Sequence, residues 1–208
     1  MTHAPSAGSS TFALALILVL ALVPVSPGTA SCIIPNGAVD GSTCGTTATQ
    51  GTPFDIYLLG TLFSDAAAPG ITGAEFKLEG QDPTWIAIVT PNPAANLVFG
   101  DPVQHGCNIA FPSCQVGTGA RAIVVLYTVQ FIAFGPVQPQ VLRITKHDTP
   151  SNPNFMCPLF TICDDPVFTK LCVPGGQECV NNPNPACCGD PVVPAAWSGV
   201  KALYQAGR

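Results

Sequence analysis

Ten cysteines are the residues of this chain best suited to chemistry, and their spacing decides which chemistry. The gaps run Cys32-x11-Cys44, Cys107-x6-Cys114, Cys157-x5-Cys163, Cys172-x6-Cys179, and then the adjacent pair Cys187-Cys188. Structural zinc sites draw on ligand pairs about two to four residues apart. A thioredoxin-like redox centre needs Cys-x-x-Cys. Neither spacing occurs, so an even set of cysteines behind an export signal reads as a structural disulfide framework. Closing a short loop loses the least chain entropy, so local bridges Cys32–Cys44, Cys107–Cys114 and Cys157–Cys163 are expected. Of the three pairings left, one demands a strained bond between neighbours. Cys172 and Cys179 are therefore expected each to reach Cys187 or Cys188, with the connectivity among these four left open.

The other reactive side chains are sparse. His105 stands in Gln104-His105-Gly106-Cys107 and His147 in Lys146-His147-Asp148. A Cys–His nucleophile needs a free thiol, which a fully paired set does not supply. Adjacent residues on a strand point to opposite faces, so His147 and Asp148 cannot share a metal there. Both histidines read as surface loop residues. Asp164-Asp165 is the one adjacent acidic pair, followed by Pro166. Glycoside hydrolysis needs two carboxylates about 5 to 10 Å apart across the bond. Glu75 and Glu79 would lie on one strand face about 13 Å apart. No EF-hand loop, Gly-x-Ser-x-Gly elbow, phosphate loop or dinucleotide fingerprint is present. No catalytic, cofactor-binding or metal-ligating residue is assigned, and no cofactor is expected. Tyr57, Trp85 and Tyr127, with Trp197 and Tyr204 in the tail, are the rings that could form a flat ligand platform. Burial in the core is the competing reading for the strand aromatics.

Composition narrows the classes further. Charged residues make up 9% of the chain, against roughly 25% in an ordinary soluble domain. With 47% hydrophobic residues and a net charge of −5, the chain is no disordered polyelectrolyte. Seven Lys and Arg, scattered singly against twelve Asp and Glu, form no basic stripe that could neutralise phosphates. Residues 12–23 (FALALILVLALV) are an apolar run closed by Pro24 and followed by Pro27-Gly28-Thr29-Ala30. That run is short of the roughly twenty residues of a bilayer span, and the layout is that of a secretory signal peptide. It departs from the pattern in having no Lys or Arg before the apolar core. Cleavage after Ala30 leaves every cysteine in the mature chain. Lipidation of Cys32 is a minor alternative: Thr29 stands where an aliphatic residue is usual, and an odd number of cysteines would remain. No membrane span is expected after cleavage.

The positioning elements are strands. Residues 54–62 place Phe54, Ile56, Leu58 and Leu62 on one face, and Glu75-Phe76-Lys77-Leu78-Glu79 turns its apolar pair one way and three charges the other. Trp85 to Val89 and Leu97-Val98-Phe99 are short strands closed by Pro91 and by Gly100-Asp101-Pro102. Residues 122–134 (AIVVLYTVQFIAF) carry no charge, and their β-branched content favours a long central strand, or two strands with a bulge, over a buried helix. Further alternation occurs at 141–145 and 167–173. Turn-rich loops are expected at 90–96, 101–118 and 149–165. Strands punctuated by Pro and Gly turns predict an all-β antiparallel sandwich, with Phe54, Ile56, Leu58, Phe76 and Leu78 inward. Helix is expected only in the tail, where Trp197, Val200 and Tyr204 share a stripe behind Pro194. The division is thus a signal peptide at 1–30, a disulfide-stapled sandwich at 31–193 and a helical tail at 194–208.

Thr52-Pro53-Phe54-Asp55-Ile56-Tyr57-Leu58-Leu59, followed by Gly70-Ile71-Thr72-Gly73-Ala74-Glu75-Phe76-Lys77-Leu78, resembles the opening of a cohesin-type domain, and residues 122–134 resemble its long apolar strand. The resemblance covers about residues 50 to 147. It implies a jelly-roll β-sandwich of the kind shared by cohesins and several carbohydrate-binding modules. Trp197-Ser198-Gly199-Val200-Lys201 and the cysteine-rich part are not cohesin features; they resemble a group of bacterial secreted proteins. The expectation is a non-enzymatic secreted or cell-envelope module for binding, adhesion or structure, contacting a glycan or a cell-surface protein and no nucleic acid. The alternative is a secreted hydrolase whose site is not recognisable in the sequence.

Overall fold

Alternation of apolar and polar residues, broken every few positions by Pro or Gly, produces eleven strands in the described part of the computed structural model. The structure describes residues 31–182 apart from 44, 64–66, 68, 120, 121, 164–166 and 168. The strands are β1 (Cys32–Asn36), β2 (Phe54–Thr61), β3 (Ile71–Glu79), β4 (Trp85–Pro91), β5 (Leu97–Asp101), β6 (Gly106–Gln115), β7 (Ile123–Ala133), β8 (Gln140–Thr145), β9 (Leu159–Ile162), β10 (Lys170–Cys172) and β11 (Gln177–Val180). No helix occurs among the described residues. The expected signal peptide and the expected tail helix lie outside them.

The strands form two antiparallel sheets. One has the order β1-β2-β7-β4; the other runs β10-β9-β3-β6-β5, with β8 also on β3 and β11 on β8. The first half of β3 (Ile71 to Glu75) pairs with β9, and its second half (Lys77 to Glu79) pairs with β8 on the same edge. Between β8 and β9 the chain makes an excursion over 146–158. The core fills the space between the sheets. Ile56, Leu58, Val129 and Phe131 come from one layer, and Phe76, Leu78, Ile109 and Phe160 from the other. Phe76 meets Tyr127 edge to face across the layers at 5.9 Å between centroids. Phe54, the outermost of the five residues expected inward, is half-buried and stacks beside Trp85 and Phe131. The uncharged run does form one long strand with a bulge, where the β2–β7 register shifts between Leu58 and Leu59.

Two expected loops are partly strand. Gly106 to Gln115 reads as a turn-rich segment because of its Gly, Cys, Pro and Ser. Yet Cys107, Ile109 and Phe111 alternate inward and the segment pairs with both β3 and β5. Pro112, which has no N–H to give a ladder, falls where the β3–β6 register jumps from Ala110 to Gln115. Leu159–Ile162 is likewise a strand inside the expected 149–165 loop.

These strands overturn the local disulfide scheme. Cys107 and Cys114 sit on the same strand, roughly 20 Å apart at strand rise, far beyond the Cα spacing of about 4.4–6.8 Å that a disulfide spans. Cys157 and Cys163 flank β9 and are separated in the same way. The bridges formed are Cys114–Cys163 and Cys157–Cys172, with Cα separations of 5.5 and 5.7 Å. Cys172 is therefore not available to Cys187 or Cys188. Cys32 turns its sulfur to the Thr61 hydroxyl at 2.8 Å, and its expected partner Cys44 lies outside the described residues. Cys179 is disulfide-bonded, to a cysteine outside the described residues. Cys107 is a buried thiol facing Tyr127, and burial pushes it up to about 12. Peptide mapping of unreduced protein is expected to recover Cys114–Cys163 and Cys157–Cys172 as linked peptides. Cys107 should resist alkylation at pH 8 until the protein is unfolded; rapid native labelling would contradict its burial.

A buried carboxylate joins the sheet ends. Glu178 on β11 is 1% exposed. It accepts the Thr46 hydroxyl at 2.7 Å and the backbone N–H groups of Gly37 and Gly45. Burial outweighs these bonds and raises its pKa above the ordinary Glu value. The native state then holds its proton to higher pH than the unfolded chain does, so this group's contribution is full below the unfolded value near 4.3 and is lost as pH rises through the native one. Thermal midpoints measured across pH 4 to 8 should fall over that window, and Glu178→Gln should flatten the slope.

Candidate functional site

The outward face of the β9-β3-β6-β5 run carries a hollow of about 260 Å3. Its floor is the first half of β3. Ala74, Phe76 and Leu78 point into the core, so Gly73 and Glu75 point out. A methyl group on Gly73 would come within 2.8 Å of the Ile109 carbonyl oxygen, so the missing side chain keeps the floor open. Asn108 and Ala110 of β6, with Leu97 and Phe99 of β5, line one side; Thr161 of β9 and Lys170 of β10 line the other.

Glu75 departs from the sequence expectation of a half-exposed charged edge: it is only 4% exposed. The excursion after β8 folds back over it, and the Ser151 N–H donates to Glu75 Oε1 at 2.9 Å. Lys170 Nζ in turn donates to Ser151 Oγ. The second carboxylate oxygen, Oε2, is buried without a hydrogen-bond partner. Further along β3, Lys77 bonds Asp148 at 2.9 Å and Glu79 at 3.0 Å. The Lys77 ammonium, and then His105 at 3.3 Å, hold the Asp148 carboxyl below the usual range.

β5 is the edge of its sheet and is strongly apolar. Leu97, Val98 and Phe99 are 47%, 37% and 61% exposed. Leu97 and Phe99 stand at the hollow, while Val98, opposite the inward Ile109, turns to the other face of the edge strand.

The possible platform does not assemble among the described residues, where the competing reading of core burial holds for two of the three strand rings. Trp85 and Tyr127 are core residues, at 9% and 1% exposure, because the inward phase of β4 and β7 carries them. Tyr57 is half-buried on the outward face of the other sheet, in an apolar cluster with Cys32, Ile34, Leu59 and Ile123. His105 is exposed, and His147 accepts the Thr149 N–H at 3.0 Å. Among the described residues no three His, Cys, Asp or Glu side chains gather as metal ligands would, and no helix there is long and apolar enough to cross a membrane. Asp164, Asp165, Trp197 and Tyr204 lie outside the described residues. The sequence marks Leu97-Val98-Phe99 as a strand and Glu75 as outward, but nothing in it shows that they share a hollow.

Exposure sets the energetic expectation. Leu97→Ser and Phe99→Ser should change unfolding free energy by no more than about 0.5 kcal/mol. Ile109→Ala, on the inward side of the same sheet, should lower it by about 2–5 kcal/mol. Urea denaturation of the three variants checks this, and a large loss for Phe99→Ser would place it in the core.

The class of protein defined by these layers is an antiparallel, disulfide-stapled β-sandwich. The solved structures it is similar to are cohesin modules. The sixth cohesin of scaffoldin B from Acetivibrio cellulolyticus, in complex with a dockerin, is 13% identical, with a TM-score of 0.47 over 74% of this chain and 99% of that one. The cohesin module of a family 33 glycoside hydrolase from Clostridium perfringens is 15% identical, with a TM-score of 0.46 over 72% and 98%. A non-cellulosomal cohesin from the archaeon Archaeoglobus fulgidus is 11% identical, with a TM-score of 0.43 over 76% and 95%. No family model matches the chain, and no curated protein matches it.

Proposed function

We propose that the protein is a non-catalytic binding module of the extracellular space or cell envelope, and that it grips a protein partner through the β9-β3-β6-β5 face. The observation that carries this reading is the exposed Leu97-Val98-Phe99 edge beside the hollow. An apolar edge strand is a template for another chain. Natural proteins blunt such edges or use them, by strand addition or by burying the side chains in a partner. A contiguous apolar patch next to a concavity is the usual mark of a contact surface. The two bridges brace this face, since Cys114–Cys163 ties β6 to the end of β9 and Cys157–Cys172 ties the approach to β9 to β10. Pre-organised elements lose less entropy on binding.

Export is supported by the apolar leader-like run and by disulfides, which persist in oxidising compartments. Full burial of Cys32 within β1 speaks against the lipid-anchored alternative. A glycan partner is the second reading. It is weakened by the place of Trp85 and Tyr127 in the core, which leaves Phe99 as the exposed ring of the hollow. For the hydrolase alternative, the hollow's described lining offers Glu75 as its single carboxylate, where a facing pair is needed.

The test places a photo-crosslinking residue at Phe99, and separately at Thr128 on the outward face of the other sheet, and presents each protein to the surface of the cells that secrete it. Crosslinks to protein are expected from position 99 and not from 128, persisting at 1 M salt, on the order of a 3 Å screening length, because few charges take part. Crosslinks to glycan alone would favour the second reading. Turnover of glycosides or esters that Glu75→Gln abolishes would establish the hydrolase instead.

A further inference from the structure

The Glu75 carboxylate has a role that the sandwich itself does not use. We infer that the hollow beside it is a socket for one positively charged side chain, an arginine or a lysine, presented by the protein partner proposed above; the inference rests on that reading and sharpens it.

The argument begins with an unmet acceptor. Glu75 is 4% exposed, and its Oε2 is buried with no donor in reach. A buried acceptor left unsatisfied costs about 1–3 kcal/mol, more when charged. The carboxylate is fixed in place from its other oxygen: the Ser151 N–H holds Oε1, and the Lys170 ammonium holds Ser151 Oγ. No ion pair joins Lys170 to Glu75 among the described residues, so the neighbouring cation braces the loop and leaves Oε2 unneutralised. Glu75 lines the hollow, so a ligand seated there can bring the donor that this oxygen lacks.

The rest of the lining selects the ligand's shape. Leu97 and Phe99 form an apolar wall at the mouth. Lysine and arginine lay an aliphatic stem on such a wall while the charged head reaches a polar group, and a cation near the Phe99 ring gains from its quadrupole. Glu75 is already shielded from water, so a cationic head seated in the hollow supplies the counter-charge that solvent does not. Lys170 at the rim opposes a second cation, so the socket carries its own competitor, and removing that charge should tighten binding.

The experiment uses the mature, oxidised protein, labelled with 15N, and small probes. N-acetyl-arginine amide and N-acetyl-lysine amide are compared with N-acetyl-citrulline amide, a neutral isostere, and N-acetyl-norleucine amide, an apolar one. The cationic probes should shift the Ser151 and Thr161 amides saturably, with the neutral two about tenfold weaker or more. Glu75→Gln should lose about tenfold in affinity for the cationic probes while keeping a dispersed spectrum, Phe99→Ala several-fold, and Lys170→Met should gain. Phe99 is largely exposed, so its variant keeps the fold and the test stands even where Glu75→Gln does not fold. Citrulline binding as well as arginine, arginine binding unchanged in Glu75→Gln, or no shift with any probe would each overturn the socket. Crosslinking from position 99 that persists in Glu75→Gln would then leave the protein-binding face intact without it. Cationic probes that bind while position 99 crosslinks nothing would give the opposite separation.

Discussion

Both edges of β3 are occupied, and the architecture of the larger sheet follows from how they are shared. One edge pairs with β6. The other is divided between β9, which takes Ile71 to Glu75, and β8, which takes Lys77 to Glu79. A strand in that position must be apolar toward the core and can be polar outward, which Phe76 and Leu78 against Glu75 and Lys77 satisfy. Dividing one edge between two strands also forces the chain out of the sheet after β8 and back before β9. The excursion over 146–158 is that detour, and it carries both Ser151, which caps Glu75, and Asp148, which pairs with Lys77. The buried carboxylate and the hollow above it are consequences of the split pairing.

A divided edge is also a weak point, and the covalent bonds lie where it needs reinforcement. β9 and β10 are strands of four and three residues, too short to hold a sheet edge by ladder bonds alone. Cys157–Cys172 spans their paired ends, and Cys114–Cys163 fastens the far end of β9 to β6 past the beginning of β3. Gly70 makes the crossing possible. It sits at a φ of 120°, and a Cβ there would lie 2.6 Å from Cys114 Sγ, a position only glycine fills without strain. In a chain-entropy account, a bridge across 49 residues stabilises by about 4 kcal/mol, comparable to a large core side chain.

Much of this was legible in the residues, and the failures have physical causes. β2, β3 and β8 announce themselves by alternation, β4 and β5 by short apolar runs closed by turn residues, and β7 by its uncharged, β-branched run; the inward set from Ile56 to Leu78 falls where period two puts it. The disulfide scheme failed because loop-closure entropy ranks partners by sequence distance only if the segment between them is flexible. In Cys107–Cys114 and around β9 the segment is a strand, and an extended strand keeps its ends apart. β6 was hidden by Pro112 and Gly106, which read as turn chemistry but occupy a register jump and a hairpin end. Ring type alone left platform and core both open, because it says nothing about phase; Trp85 and Tyr127 fall on the core side of their strands. The hollow needed tertiary pairing. Glu75 and Phe99 are 24 positions apart in the sequence and come together only because β3 and β5 flank β6.

The apolar edge then has to be weighed against the risk it carries. Leu97, Val98 and Phe99 on an edge that is unpaired among the described residues are a liability for self-association, and a chain with 9% charged residues has few means of discouraging it. Elsewhere the protein does guard its surface. Lys77, Glu79, Asp148 and His105 cluster at one end of the same sheet, and the edge of β8 is covered by β11. Retaining three exposed apolar residues where a Lys or Pro would remove the hazard is costly for solubility, and nothing in the core depends on them. A contact surface offsets that cost, because the same unpaired backbone and exposed rings that invite aggregation are what a partner chain can cover. That balance is one more reason for the proposal that a partner covers this face.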